Sequence, residues 1–293
     1  MPSPDSLNYC VVRVQTMFKD TDVSKATGFL YSGIVDGKPN LWLITNWHVV
    51  TGRNASNPEK ILHSQCALPN RLKIELPSSK NFDGTEVSGQ LFLHQTFVDI
   101  YDGQERARWH QHREKNLVDI AIINLGGSLT DTLKFSDTLV RGINEFTMQA
   151  DMAIEIGNEV FILGYPLGFS HFINTPIWKR GSIASEPHME TPESKGKIMI
   201  DATTRTGMSG SPVIMRAKTH YLSESGDIRS FPNATRFIGV YASRPAPART
   251  SETRGEDNED GDKWHELGYV FKSGFVNEII KNGIPGPTFG KEP

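Results

Sequence analysis

Residues 200–215 read IDATTRTGMSGSPVIM. The apolar run KIMIDATT (197–204) ends in polar residues, two glycines bracket Met208 and Ser209, and a second apolar run, SPVIM (211–215), follows at once. Glycine adopts the left-handed backbone that a tight reversal demands, so Gly207 and Gly210 permit a turn that presents the Ser209 hydroxyl. Such a turn also aims neighbouring backbone N–H groups at one point. With Pro212, Val213 and Ile214 anchoring its far side, the piece reads as strand, turn, strand, the unit of an all-β protein.

Outward from this turn the same texture recurs. YCVVRV (9–14), TGFLYSGIV (27–35), LWLITNW (41–47) and RLKIEL (71–76) are short β-branched or aromatic runs between Gly, Pro, Asn and Asp. LVDIAIINL (117–125), EVFILGY (159–165), TRFIGVYAS (235–243) and LGYVFK (267–272) continue the pattern. Many short strands without alternating helices argue for a sandwich or barrel. The clearest helix is SGFVNEIIKNG near the end, where Phe275, Ile279 and Ile280 share a face and Gly283 is a stop signal. It is expected to pack on the last barrel. Residues 244–266 are acidic, with prolines at their start, and read as a mobile surface insertion. Residues 102–116 read as a second exposed excursion.

The 293 residues suffice for a substantial core. Thirty-one Lys and Arg against 34 Asp and Glu leave a net charge of −3 with no basic block, so nucleic acid is not an expected partner. Cys10 and Cys66 are the only cysteines, so the fold must rest on its core and not on several disulfides. The opening MPSPDSLNYCVVRV has an early acid and prolines where an export signal carries basic and apolar residues. No apolar run approaches the roughly 20 residues of a membrane span. The expectation is a cytoplasmic protein without membrane partners.

Three residues carry chemical interest. His48 follows Thr45, Asn46 and Trp47 at the end of a β run, and alone it means little. Asp119 interrupts Val118, Ile120, Ala121, Ile122 and Ile123, where a carboxylate is costly unless it is hydrogen-bonded, for instance by a histidine N–H. Asp99, in FVDIYDG, is a rival whose apolar run breaks at once. Ser209 is the third.

Taken together, TNWHVV, DIAIINL and GMSGSPVI resemble the catalytic segments of trypsin-like serine proteases, notably the glutamyl endopeptidases and the high-temperature-requirement proteases. TGFLYSG, VFILGYPLG and IGVYAS resemble supporting strands of the same family, and the likeness spans roughly residues 25–275. It implies two packed six-stranded antiparallel barrels of chymotrypsin type: residues 9–140 with His48 and Asp119, residues 150–275 with Ser209, and a C-terminal helix over 275–283. It also implies a serine endopeptidase acting on protein or peptide substrates without a cofactor. Ser209 would be the nucleophile, His48 its base and then the acid, and Asp119 the group orienting the imidazole. The N–H groups of Gly207 and Ser209 would form the oxyanion hole.

The resemblance further implies a specificity pocket lined by Thr203, Thr204, Tyr241, Ala242 and Ser243, with Arg244 at its rim. None of these is acidic, so a preference for Lys or Arg is not expected, and Arg244 would favour acidic or polar side chains. Position 208 is Met where zymogen-activated trypsins carry Asp, so ordering of this turn is expected to rest on packing and not on an inserted ammonium. His110 with His112, and His63 with Cys66, lack a full zinc ligand set, so no metal is expected. Two rivals stand beside this reading. An α/β-hydrolase using Ser209, Asp227 and His265 would need the G-x-S-x-G elbow that Ser211 breaks. A protease-like binding module without catalysis would keep the fold alone.

Overall fold

The computed structural model describes residues 5–35, 37–78, 92–114, 118–126, 140–146, 150–171, 175–191, 194–242 and 266–290. The insertion expected at 244–266 lies, but for Glu266, outside the described residues, as do Ser243, Arg244 and His265.

The N-terminal half is built from β1 (Val11–Phe18), β2 (Thr21–Val35), β3 (Lys38–Thr45), a short hairpin of β4 (Arg53–Asn54) and β5 (Asn57–Ile61), β6 (Arg71–Ser78), β7 (Phe92–Asp99), β8 (Trp109–Gln111) and β9 (Ala121–Asn124). Helix α1 (Trp47–Thr51) follows β3, and α2 (Ile143–Phe146) begins the passage to the second half. That half contains β10 (Glu159–Gly164), β11 (Ile177–Ile183), β12 (Lys197–Asp201), β13 (Pro212–Ala217), the hairpin β14 (His220–Leu222) and β15 (Ile228–Ser230), β16 (Ala234–Tyr241) and β17 (Leu267–Lys272). Helix α3 (Gly274–Asn282) and β18 (Ile284–Pro285) end the chain's regular structure.

The expected six-stranded barrel forms in the second half, closed in the order β10-β11-β12-β17-β16-β13. The first half is an eight-stranded sheet ordered β18-β8-β9-β3-β2-β1-β6-β7, and a second closed barrel is not established. Among the described residues, its two ends are linked beyond β7, where Tyr101 bridges Ala107 and Arg108 N donates to Ile100 O at 3.0 Å. One bridge is not a ladder, and the β8 edge is taken by the C-terminal strand β18, whose Ile284 pairs with Gln111. Pairing a sheet edge in this way removes the free N–H and C=O groups that invite association.

Apolar residues fall into three clusters. One, including Val12, Leu30, Leu43, Leu72, Ile74 and Ile123, fills the concave side of the N-terminal sheet. Another, including Val160, Ile162, Ile198, Ile200, Val213 and Val270, fills the barrel. The third, joining Phe29, Ile44, Ile120 and Ile122 to Leu163, Ile214, Val240 and Phe271, cements the two halves.

Helix α3 differs from expectation in its seat. Val276 and Ile279 are its buried residues, and they join the cluster shared by both halves instead of resting on the barrel alone. Tyr31 Oη donates to Asn277 Oδ1 at 3.0 Å, tying the helix to the N-terminal sheet. The excursion at 102–116 also departs from its reading, because Trp109 and Gln111 are buried in β8. Cys10 is buried, which pushes its thiol pKa up, whereas Cys66 is exposed.

Candidate active site

The end of β3 sets the position of His48. Asn46 is extended and buried, Trp47 opens the one-turn helix α1, and Gly52 closes it in the left-handed region with its N–H on His48 O at 2.9 Å. Trp47 fixes that turn from inside, its indole N–H donating to Gln111 Oε1 at 2.7 Å. The imidazole thus sits on a short helix with an anchored neighbour, and not on the strand itself.

Asp119 lies just before β9, buried together with its neighbours Val118 and Ile120. At 4 % exposure its carboxylate needs partners, and one residue supplies two. His48 N donates to Oδ1 at 2.9 Å, and His48 Nδ1 lies 2.7 Å from Oδ2. An ionised carboxylate only accepts, so Nδ1 is the donor in this contact and Nε2 is the ring nitrogen left for other partners. The Asp119 carbonyl is held in turn by Asn46 Nδ2 at 2.7 Å. Asp99 is elsewhere: its half-exposed side chain on β7 pairs with Arg71 at 2.6 Å.

The turn between β12 and β13 has the glycine conformations its sequence demands, φ +97° at Gly207 and +84° at Gly210. Both glycines are also required by space. A methyl at Gly207 would lie 2.5 Å from Tyr165 O, and one at Gly210 only 2.1 Å from Thr27 O. Met208 is fully buried in the barrel core, so the turn is pinned from below by apolar packing.

In a trans peptide the C=O and N–H point in opposite directions. Thr206 O accepts from Leu167 N at 2.6 Å and Met208 O from Ser211 N at 3.0 Å, which turns the N–H groups of Gly207 and Ser209 the other way. Neither amide has an acceptor among the described residues. Ser209 Oγ donates to Ala242 O at 3.3 Å and, among the described residues, makes no hydrogen bond to His48.

What joins the two halves of the site is Thr27 on β2, the first residue of TGFLYSG and one for which the local sequence suggests no role. Its N–H donates to Ser209 O at 2.9 Å and its hydroxyl to Gly207 O at 2.7 Å. The same hydroxyl accepts from Tyr165 N at 3.0 Å, while Thr27 O accepts from Thr45 Oγ1 at 2.9 Å. Thr45 is three residues before His48, so one fully buried threonine ties the serine turn to the strand that carries the histidine. A polar residue beside Gly28 in an otherwise apolar run was the available signal, but its partners are about 140 to 180 residues away, as the separations of its bonds show.

The residues expected to line a pocket are partly brought together. Thr204 and Tyr241 are buried with their hydroxyls 2.5 Å apart, the Tyr241 ring lies against Gly268, and Ala242 adjoins the serine. Thr203 is exposed. Among the described residues no group of three His, Cys, Asp or Glu side chains is placed to hold a metal. His112 instead pairs with Glu278 at 3.1 Å, and His63 Nδ1 accepts the N–H of Gln65. Asp227 sits in the exposed β14–β15 turn, where its N–H donates to Ser223 Oγ. No helix among the described residues is long and apolar enough to cross a membrane.

A family model described as a trypsin-like peptidase domain matches residues 26–219. None of the curated proteins compared matches the chain. Among solved structures, the active form of the Rv3671c protease from M. tuberculosis is 15 % identical, with 99 % of this chain and 91 % of that chain covered at a TM-score of 0.43. The HtrA-type protease AlgW with tripeptide is 14 % identical, with 95 % of this chain and 63 % of that chain covered at a TM-score of 0.48.

Proposed function

Because the chain belongs to the trypsin-like peptidase domain family, we propose that it is a serine endopeptidase working through Ser209, His48 and Asp119. The observation that carries this reading is the buried carboxylate bonded twice to His48, whose helix follows the strand that Thr27 ties to the Gly207–Gly210 turn.

In the proposed reaction the Ser209 hydroxyl first leaves Ala242 O by rotation about its χ1, a motion of picoseconds to nanoseconds for an accessible side chain. Ser209 Oγ then attacks the substrate carbonyl carbon while its proton passes to His48 Nε2. Negative charge on the former carbonyl oxygen is met by the N–H groups of Gly207 and Ser209. Asp119 holds the imidazole in the accepting tautomer and stabilises the imidazolium. Collapse of the tetrahedral intermediate breaks the C–N bond, Nε2 returns the proton to the departing amine, and an acyl-enzyme remains. Water, deprotonated by His48, attacks the ester and releases the acid and Ser209.

For the acyl-side pocket, Thr203, Thr204, Tyr241 and Ala242 offer neutral groups, which supports a preference for uncharged side chains. Cleavage-site profiling on a mixed peptide library tests reaction and pocket together: cuts after uncharged residues are expected, and cuts confined to Lys and Arg would overturn the pocket assignment. The rival reading, a binding module without catalysis, draws on the Ser209 bond to Ala242 in place of His48. Labelling of Ser209 by a fluorophosphonate decides between the two, since only an activated serine is modified.

Gly207→Ala is expected to lower kcat by about 10²–10³, the usual effect of losing one oxyanion donor. The added methyl would meet Tyr165 O at 2.5 Å and must displace the amide. Steady-state kinetics on a cleaved library peptide, with KM little changed, is the check.

A further inference from the structure

The turn after β10, Tyr165–Ser170, lies directly against the Gly207 amide, and two of its side chains have no structural reason to be apolar. Leu167 has φ +55° and is 64 % exposed, and Phe169, two residues on, is 65 % exposed. A branched residue in the left-handed region is strained relative to glycine, and here burial does not offset the strain. A turn that served only to reverse the chain would favour Gly or Asn at this position.

The turn is nevertheless held rigidly. Gly168 N donates to Tyr165 O at 2.9 Å, Phe169 N to Pro166 O at 2.8 Å, and Arg13 to Ser170 Oγ at 2.8 Å. Leu167 N donates to Thr206 O at 2.6 Å, across the peptide whose other end is the Gly207 amide. Beside it, the Lys25 side chain lies where a Gly168 side chain would be, its methylenes adding apolar surface.

We propose that Leu167 and Phe169 form a subsite for an apolar side chain on the leaving-group side of the scissile bond, within the first two residues after it. The assignment rests on the peptidase reading of the site. In that reading the acyl half of the substrate lies towards Thr204, Tyr241 and Ala242. On the other flank of the turn, the backbone of Leu167 and Gly168 packs against Gly207, and Lys25 of β2 packs against Gly168, so in the proposed binding mode the leaving half passes over this segment. The strained, exposed leucine supplies apolar surface beside the serine turn, where burying one substrate side chain adds to transition-state binding. Observed backbone strain of this kind concentrates at ligand-binding positions.

The test uses the full chain and peptides that share one acyl half and differ only in the two residues after the cleaved bond, Leu and Phe in one set, Ser and Gly in the other. Wild-type protein is expected to favour the apolar set in kcat/KM by tenfold or more. Leu167→Gly, which relieves the strained backbone, combined with Phe169→Ser should bring that ratio to within about twofold of unity, while Leu167→Met with Phe169→Leu should retain it. Thermal unfolding of Leu167→Gly at or above the wild-type midpoint separates loss of the subsite from loss of fold. A wild-type ratio near one, or a preference that survives the double polar variant, overturns the subsite while leaving the peptidase reading intact. Absence of both cleavage and fluorophosphonate labelling of Ser209 overturns the peptidase reading and the subsite with it.

Discussion

Ser209→Ala is expected to remove peptide hydrolysis, with kcat falling by about 10⁶, the scale on which deleting the nucleophile of a serine protease acts. The loss should leave the fold intact. Ser209 is only partly buried, and its one side-chain bond is a 3.3 Å contact to Ala242 O, so removing the oxygen should change stability by no more than about 1 kcal/mol. Backbone bonds hold the turn without it: Ser211 N to Met208 O, Gly210 N to Tyr241 O, and Thr27 N to Ser209 O. The measurement is turnover of a cleaved peptide together with a far-ultraviolet spectrum and fluorophosphonate labelling. The other hydroxyl of the turn, Ser211, is the control. It is fully buried with its Oγ unpartnered among the described residues, so it has no access to substrate, and Ser211→Ala should keep turnover within a few-fold of wild type. Turnover retained by Ser209→Ala and lost by Ser211→Ala would invert the assignment.

Asp119→Asn is expected to lower kcat by about 10⁴, because an amide in place of the carboxylate holds the histidine in the wrong tautomer. The amide oxygen can still accept His48 N, but its NH₂ then faces Nδ1 and donates, leaving Nε2 protonated and unable to take the serine proton. The site's geometry is retained, so the defect should lie in kcat and not in thermal stability. Asp99→Asn is the matched control. It breaks a half-exposed pair with Arg71, a contact of a class that contributes about 0–1 kcal/mol, and turnover should be unaffected. A damaging Asp99→Asn beside a harmless Asp119→Asn would refute the proposed roles.

The contrast between these two aspartates shows where legibility stopped. Both lie next to apolar residues, and the longer run around Asp119 favoured it. Only the folded chain shows that one carboxylate is buried beside His48 and the other faces Arg71 on the outer strand of the sheet. The specificity pocket was less legible still. Tyr241 and Thr204 do meet, but a hydroxyl contact between residues 37 apart in sequence has no local signature.

By itself the sequence determined the all-β class, the serine turn with its two left-handed glycines, and the helix before Gly283. Each depends on forces acting within a few residues: β-branched alternation, the absence of a Cβ, and one apolar helical face. Tertiary structure alone decided that the first half is an eight-stranded sheet with its β8 edge covered by the chain's end. It also decided that α3 packs between the halves, and that Thr27 binds the serine turn to the histidine strand. These depend on hydrogen bonds and apolar contacts between segments well separated in sequence, up to the 180 residues between Thr27 and Gly207. Their partners are chosen by which surfaces remain to be buried once the local elements exist, and no short stretch of sequence carries that choice.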